Sequence, residues 1–278
     1  MKSTMILILM CLTGVGLQAQ DSWETAQADG RGTLKVFIQE EAPFAFYEEG
    51  EFQGIEVDIL RKFADWVYSR HGVHLSIEFK RYRQFVRLYE DVLSTENVVG
   101  AAFVTINDLR SKEVQFTPTY LQNASVLVSP VAFPTMSSFK QFERIFGEKT
   151  ALVIRGTTHE KRLMEIRDEY HDGMRVKYVE EPEQMLPHLL SEDRNYYAMV
   201  DLITFWRFVK ANNGGLKIHR AATVSQEQYG FILPQESDWY ELFDSFFNEG
   251  FGFTASEDYE NILRKYLGDE LVPSVMVK

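Results

Sequence analysis

Arg110 ends the segment Thr105-Ile106-Asn107-Asp108-Leu109-Arg110, directly after the apolar run Val98 to Val104. A guanidinium just past a buried strand can grip a carboxylate or phosphate through two parallel hydrogen bonds, or it can be an ordinary surface charge. Gly156-Thr157-Thr158 is the second candidate for anion chemistry, because it follows a strand pattern and opens a helix. Backbone N–H groups and hydroxyls at such a place hold a carboxylate as readily as a phosphate. Plain helix capping by threonine is the commoner use of the same residues. Other chemistries find little support. The histidines at 71, 74, 159, 171, 188 and 219 include no pair on one helical face, and no second cysteine joins Cys11, so no metal site is expected. No Gly-rich phosphate loop and no Gly-x-Ser-x-Gly elbow occur, and no cofactor is implied.

The elements that must position these residues alternate. Leu34 to Ile38 reads as a strand, Glu56 to Tyr68 as a helix with Val57, Leu60, Ala64 and Val67 on one face, and Leu75 to Phe79 as a strand. A helix over Arg83 to Leu93 and a buried strand over Val98 to Val104 follow. Beyond Pro118 the extended run Leu121 to Val128 leads to a second alternating block. Its strands are Ala151 to Ile154, Arg175 to Val179 and Tyr196 to Val200, with helices after each, and Asn212-Asn213-Gly214-Gly215 ends it. A last strand, Gln228 to Leu233, and two helices are too few for a third domain, so they are expected to pack back on the first block. The expected fold is α/β and two-lobed, each lobe a mostly parallel sheet flanked by helices, with two hinge crossings near 120–127 and 218–227. Lobe 1 comprises 34–120 and 225–270, and lobe 2 spans 121–224.

Met1-Lys2-Ser3-Thr4 runs into an apolar stretch from Met5 to Leu12 and then small residues, the layout of a cleavable secretory signal over 1–19. The stretch is too short to cross a bilayer, which takes roughly 20 apolar residues. Cys11 lies inside it, so the exported chain carries no thiol and must rely on its core. Residues 20–33 lack usable periodicity and read as a flexible lead. The excess of 41 acidic over 29 basic residues argues against a nucleic-acid partner and suits a soluble monomer.

Taken in order, Leu34-Lys35-Val36, Ala42-Pro43-Phe44-Ala45-Phe46, Gln53-Gly54-Ile55-Glu56-Val57-Asp58, Thr105 to Arg110, Glu113 to Tyr120, Gly156-Thr157-Thr158 and Gln228-Tyr229-Gly230-Phe231 resemble successive signatures of one family. It is that of the bacterial periplasmic amino-acid-binding proteins, solute-binding protein family 3. The resemblance implies that Arg110 pairs with a ligand α-carboxylate, helped by Thr105 and by Thr157 and Thr158. It implies that Asp201, closing Tyr197-Ala198-Met199-Val200-Asp201, takes the α-ammonium, although an acid at a strand end can equally be the N-cap of the next helix. Phe85 falls where relatives place an apolar wall, or is a core phenylalanine. Two departures stand out. Phe103 replaces a small residue, and Glu40-Glu41 stands where relatives often carry an aromatic. If one of that pair, taken as Glu41, faces the cleft, a cationic or amine-bearing side chain is favoured; otherwise both are solvated loop residues.

The expected function is periplasmic capture of a polar amino acid or similar small carboxylate in an interlobe cleft, for delivery to an ABC permease. A sensory variant presents the closed form to a membrane receptor. The alternative class is a periplasmic enzyme on the same fold, a cyclohexadienyl dehydratase-like protein with Glu40, Glu41 or Asp201 as general acid.

Overall fold

The computed structural model describes residues 21–180, 182–191 and 195–277. The secretory signal expected over 1–19 lies outside these residues. The strands follow in the order β1 (Arg31–Gln39), β2 (Phe46–Glu48), β3 (Glu51–Gln53), β4 (His74–Tyr82), β5 (Val98–Thr105), β6 (Val114–Phe116), β7 (Leu121–Pro130), β8 (Thr150–Val153), β9 (Arg175–Tyr178), β10 (Tyr196–Asp201), β11 (Leu216–Ile218) and β12 (Val224–Pro234). Between them run helices α1 (Trp23–Asp29), α2 (Ile55–His71), α3 (Phe85–Ser94), α4 (Phe142–Phe146), α5 (Thr158–Tyr170), α6 (Pro182–Leu189), α7 (Leu202–Ala211), α8 (Tyr240–Asn248), α9 (Glu257–Leu267) and α10 (Val272–Val275).

One sheet runs through both lobes in the order β4-β1-β5-β12-β7-β10-β8-β9. In lobe 1, β1 pairs in parallel with β4 and β5, as its apolar residues Leu34, Val36, Phe37 and Ile38 require of a strand covered on both faces. In lobe 2, β8 pairs in parallel with β9 and β10. The long antiparallel strands β7 and β12 join the halves, with Val224 opposite Ser125 and Tyr229 opposite Leu121. The lobe 1 sheet is covered on one face by α2, α8 and α9 and on the other by α3, and separate clusters fill lobe 2.

The helix ends follow local chemistry. In α2, Glu56 and Asp58 occupy the first turn and Arg70 and His71 the last, matching the helix dipole, and Gly72 ends it in a left-handed conformation. Ser256 caps α9 by accepting from the Tyr259 N–H at 3.2 Å.

The lead expected over 20–33 is corrected. Ser22 caps α1, Ala26 is fully buried, and β1 begins at Arg31. The Asp238 carboxylate accepts from the N–H groups of Trp23 and Glu24 at 2.9 and 3.0 Å, and Trp23 packs on Trp239. The partners that order this segment lie more than two hundred residues away, so its own periodicity carries no trace of them.

The Phe63 and Phe243 rings stack at 4.0 Å and 8° in the centre of the lobe 1 core. Replacing Phe63 with Ala should cost about 3–5 kcal/mol in urea unfolding. A loss below about 1 kcal/mol would mean that the helix layer is not held by this contact.

Candidate functional site

The two lobes meet over a cavity at the carboxyl ends of β1, β5, β8 and β10, the place where open α/β sheets hold ligands. From lobe 1 it is lined by Glu41, Phe85, Phe103, Thr105 and Arg110, and from lobe 2 by Thr157, Thr158, His159, Asp201 and Thr204. The structure therefore brings all seven sequence candidates to one cavity.

Arg110 begins a short 3-10 turn after β5, ordered by Asn107, whose Oδ1 accepts from the Leu109 and Arg110 N–H groups. Its guanidinium donates to the Thr105 carbonyl at 3.2 Å and, across the cleft, to the Gly156 carbonyl at 3.0 Å. It lies 4.9 Å over the Phe85 ring, so Phe85 is both cavity wall and platform. Arg110 is half-buried at the cavity wall, and burial pulls its pKa down, against the charges of Tyr89, Glu113 and Glu227. Among the described residues its hydrogen bonds go to carbonyl oxygens and none to a carboxylate.

Gly156 has φ +77°, and a Cβ there would lie 2.8 Å from the Val86 side chain of the opposite lobe. Only glycine permits both the conformation and the approach. Thr157 does cap α5, accepting from the Glu160 N–H at 3.1 Å, so capping and cavity lining coexist in one residue.

Asp201 stands at the N-cap position of α7 but makes no side-chain capping bond. Its carboxylate instead accepts from Asn123 Nδ2 at 2.6 Å and from the Tyr229 hydroxyl. Burial pushes its pKa up to about 6, opposed by those two hydrogen bonds. Of the glutamate pair, Glu40 turns away to Arg81 at 3.2 Å, whereas Glu41 is 7% exposed, lines the cavity and accepts from Thr204 Oγ1 at 3.1 Å. The charge of Glu41 also acts on Arg207.

Phe103 does occupy the wall, with φ +39°. Its ring stacks on Phe44 at 4.4 Å and its N–H donates to Glu56 Oε1 at 2.8 Å. Glu56 is fully buried, also accepts from the Tyr120 hydroxyl, and leaves Oε2 without a hydrogen-bond partner among the described residues. Sequence reasoning did not single out His159, Thr204 or Tyr229 for the cavity. Only the place of His159 and Thr204 one and three residues beyond marked residues hinted at them.

The model of the bacterial extracellular solute-binding proteins, family 3, matches residues 34–269. No curated protein matches the chain. Among solved structures, an ancestral arginine-binding protein bound to arginine is similar at 24% identity and TM-score 0.70, over 86% of this chain and 99% of that one. The holo form of ArgBP from T. maritima is similar at 26% identity and TM-score 0.60, over 80% and 91%. The arginine-, lysine-, histidine-binding protein ArtJ from Geobacillus stearothermophilus is similar at 20% identity and TM-score 0.65, over 87% and 98%.

Burial pushes Glu56 up to about 7 from 4.5, with the Tyr120 and Phe103 hydrogen bonds opposing. Between those values the folded state keeps a proton that the unfolded state has released, so this group's contribution falls as pH rises through that window. Glu56→Gln should flatten the slope, narrowing the stability difference between pH 4.5 and pH 8 by about 3 kcal/mol in urea titrations. An unchanged slope would show that Glu56 does not hold the proton.

Proposed function

Because the chain belongs to the bacterial extracellular solute-binding proteins, family 3, we propose that its two lobes close around a small amino acid outside the cytoplasm. Delivery to an ABC-type permease, or display of the closed form to a membrane receptor, follows from capture. In this reading the protein binds and releases its ligand without transforming it, and binding energy goes into the closed state.

The observation that carries the reading is the polarity of the cavity. Arg110 has no carboxylate partner among the described residues, and Asp201 is a buried acid on the same cavity wall system. A zwitterion satisfies both: its carboxylate takes Arg110, Thr105 and the amides at Thr157 and Thr158, and its ammonium takes Asp201. Phe85 and Phe103 flank the stem of the ligand. Glu41, turned into the cavity beside Thr204, accepts from the far end of the side chain, which favours a basic or amide-bearing amino acid. The names of several similar structures, which bind arginine or other basic amino acids, agree with that choice.

A thermal-shift screen against the twenty amino acids should give several degrees of stabilisation with a basic or amide-bearing one, since ligand bound to the folded state raises stability by mass action. Arg110→Ala should weaken that ligand by about a hundredfold or more, as loss of one partner of a buried charge pair does. Unchanged affinity in that variant, or a flat screen, would overturn the reading.

A further inference from the structure

His159, Asp201 and Glu227 are far apart in sequence and belong to three elements: the first turn of α5, the last residue of β10, and the strand β12 that passes between the lobes. Folding places one nitrogen or oxygen of each within 4.8 Å of the others. His159 Nε2 lies 3.7 Å from Asp201 Oδ1. Tetrahedral ligands at about 2.0–2.1 Å from a metal are separated by about 3.4 Å, so this edge needs only a few tenths of an ångström of adjustment. The Ser125 hydroxyl now bridges the other edge, 2.9 Å from His159 Nε2 and donating to Glu227 Oε2.

We propose that His159, Asp201 and Glu227 form a binding site for a divalent first-row transition-metal ion such as zinc. An imidazole with two carboxylates is a borderline donor set that suits zinc, whereas calcium and magnesium select oxygen donors. A dication also neutralises two carboxylates in one step, which a monovalent ammonium on Asp201 does not. Three protein ligands leave a fourth position, which Ser125 or water fills. The supporting shell is built: Asn123 Nδ2 and the Tyr229 hydroxyl fix the Asp201 carboxylate. Asn123 is 4% exposed and its Oδ1 has no hydrogen-bond partner among the described residues. Being on the amide whose nitrogen is 2.6 Å from Asp201 Oδ1, that oxygen lies at most about 5 Å from the same carboxylate atom. The imidazole would carry its proton on Nδ1 and offer Nε2 to the metal. Because the site uses Asp201, metal and amino acid compete, and metal sets a threshold for capture.

Equilibrium dialysis of the chelator-stripped protein against zinc, with cobalt(II) absorption as a second readout, tests the site. One equivalent of zinc and the visible bands of tetrahedral cobalt are expected. Glu227→Gln and His159→Gln should each weaken zinc by at least about tenfold. Glu227 does not line the amino-acid cavity, so Glu227→Gln should keep its thermal response to the amino acid, which also reports that it folds. Zinc affinity unchanged in both variants, or no saturable zinc, sinks the metal site. Saturable zinc beside a flat amino-acid screen would leave the metal site standing and remove the amino-acid reading alone.

Discussion

The antiparallel pairing of β7 with β12 is the constraint on which the rest of the structure depends. The chain crosses between its two lobes along these strands, and the ladder from Val224–Ser125 to Tyr229–Leu121 ties the crossings to each other. Backbone hydrogen bonds in such a ladder run across the strands and hold the two crossings side by side. Tyr229 of β12 lines the cavity, and Asn123, Ser125 and Glu227 follow beside it on the same two strands, so the crossings between the lobes also support the site.

Around that site the balance is electrostatic. Burial works against charge at Asp201, Glu227 and Arg110 alike, shifting each toward its neutral form. Local hydrogen bonds recover part of that cost: Tyr229 and Asn123 at Asp201, Ser125 at Glu227, two carbonyls at Arg110. What they cannot supply is opposite charge at close range. A cleft that keeps desolvated charges of both signs apart is less comfortable alone than with a dipolar or dicationic guest, which is why its polarity speaks to function.

Much of this was legible in the chain. The continuous apolar runs at Leu34–Ile38 and Val98–Val104 and the periodicity of 56–68 gave the parallel core of lobe 1, because burial on both faces leaves a local imprint. Arg110 and Thr157 stand out since each follows a strand pattern and could hold an anion, whereas Asp201 is marked only by the family resemblance. What stayed hidden depends on contacts distant in sequence. Helix α1 is anchored by Asp238 in addition to its own cap Ser22, and the short strands β2, β3, β6 and β11 have too few residues for alternation to register. The grouping of His159 on α5 with Asp201 and Glu227 follows from the tertiary fold, and no ligand spacing along the chain announces it.

Gly156 gives this arrangement a mechanical meaning. Its bare α-carbon lets the turn before α5 seat against Val86 and lets its carbonyl receive Arg110. One methyl group at that point would be a doorstop between the lobes, 2.8 Å from the Val86 side chain. In the proposed capture, observed affinity scales with the fraction of molecules able to shut, so its tightness would be adjustable from a position with no side chain of its own. Under the proposed capture, selectivity and strength of binding can drift independently: the cavity wall would determine which guest is accepted, and a missing side chain beside it how firmly the door holds.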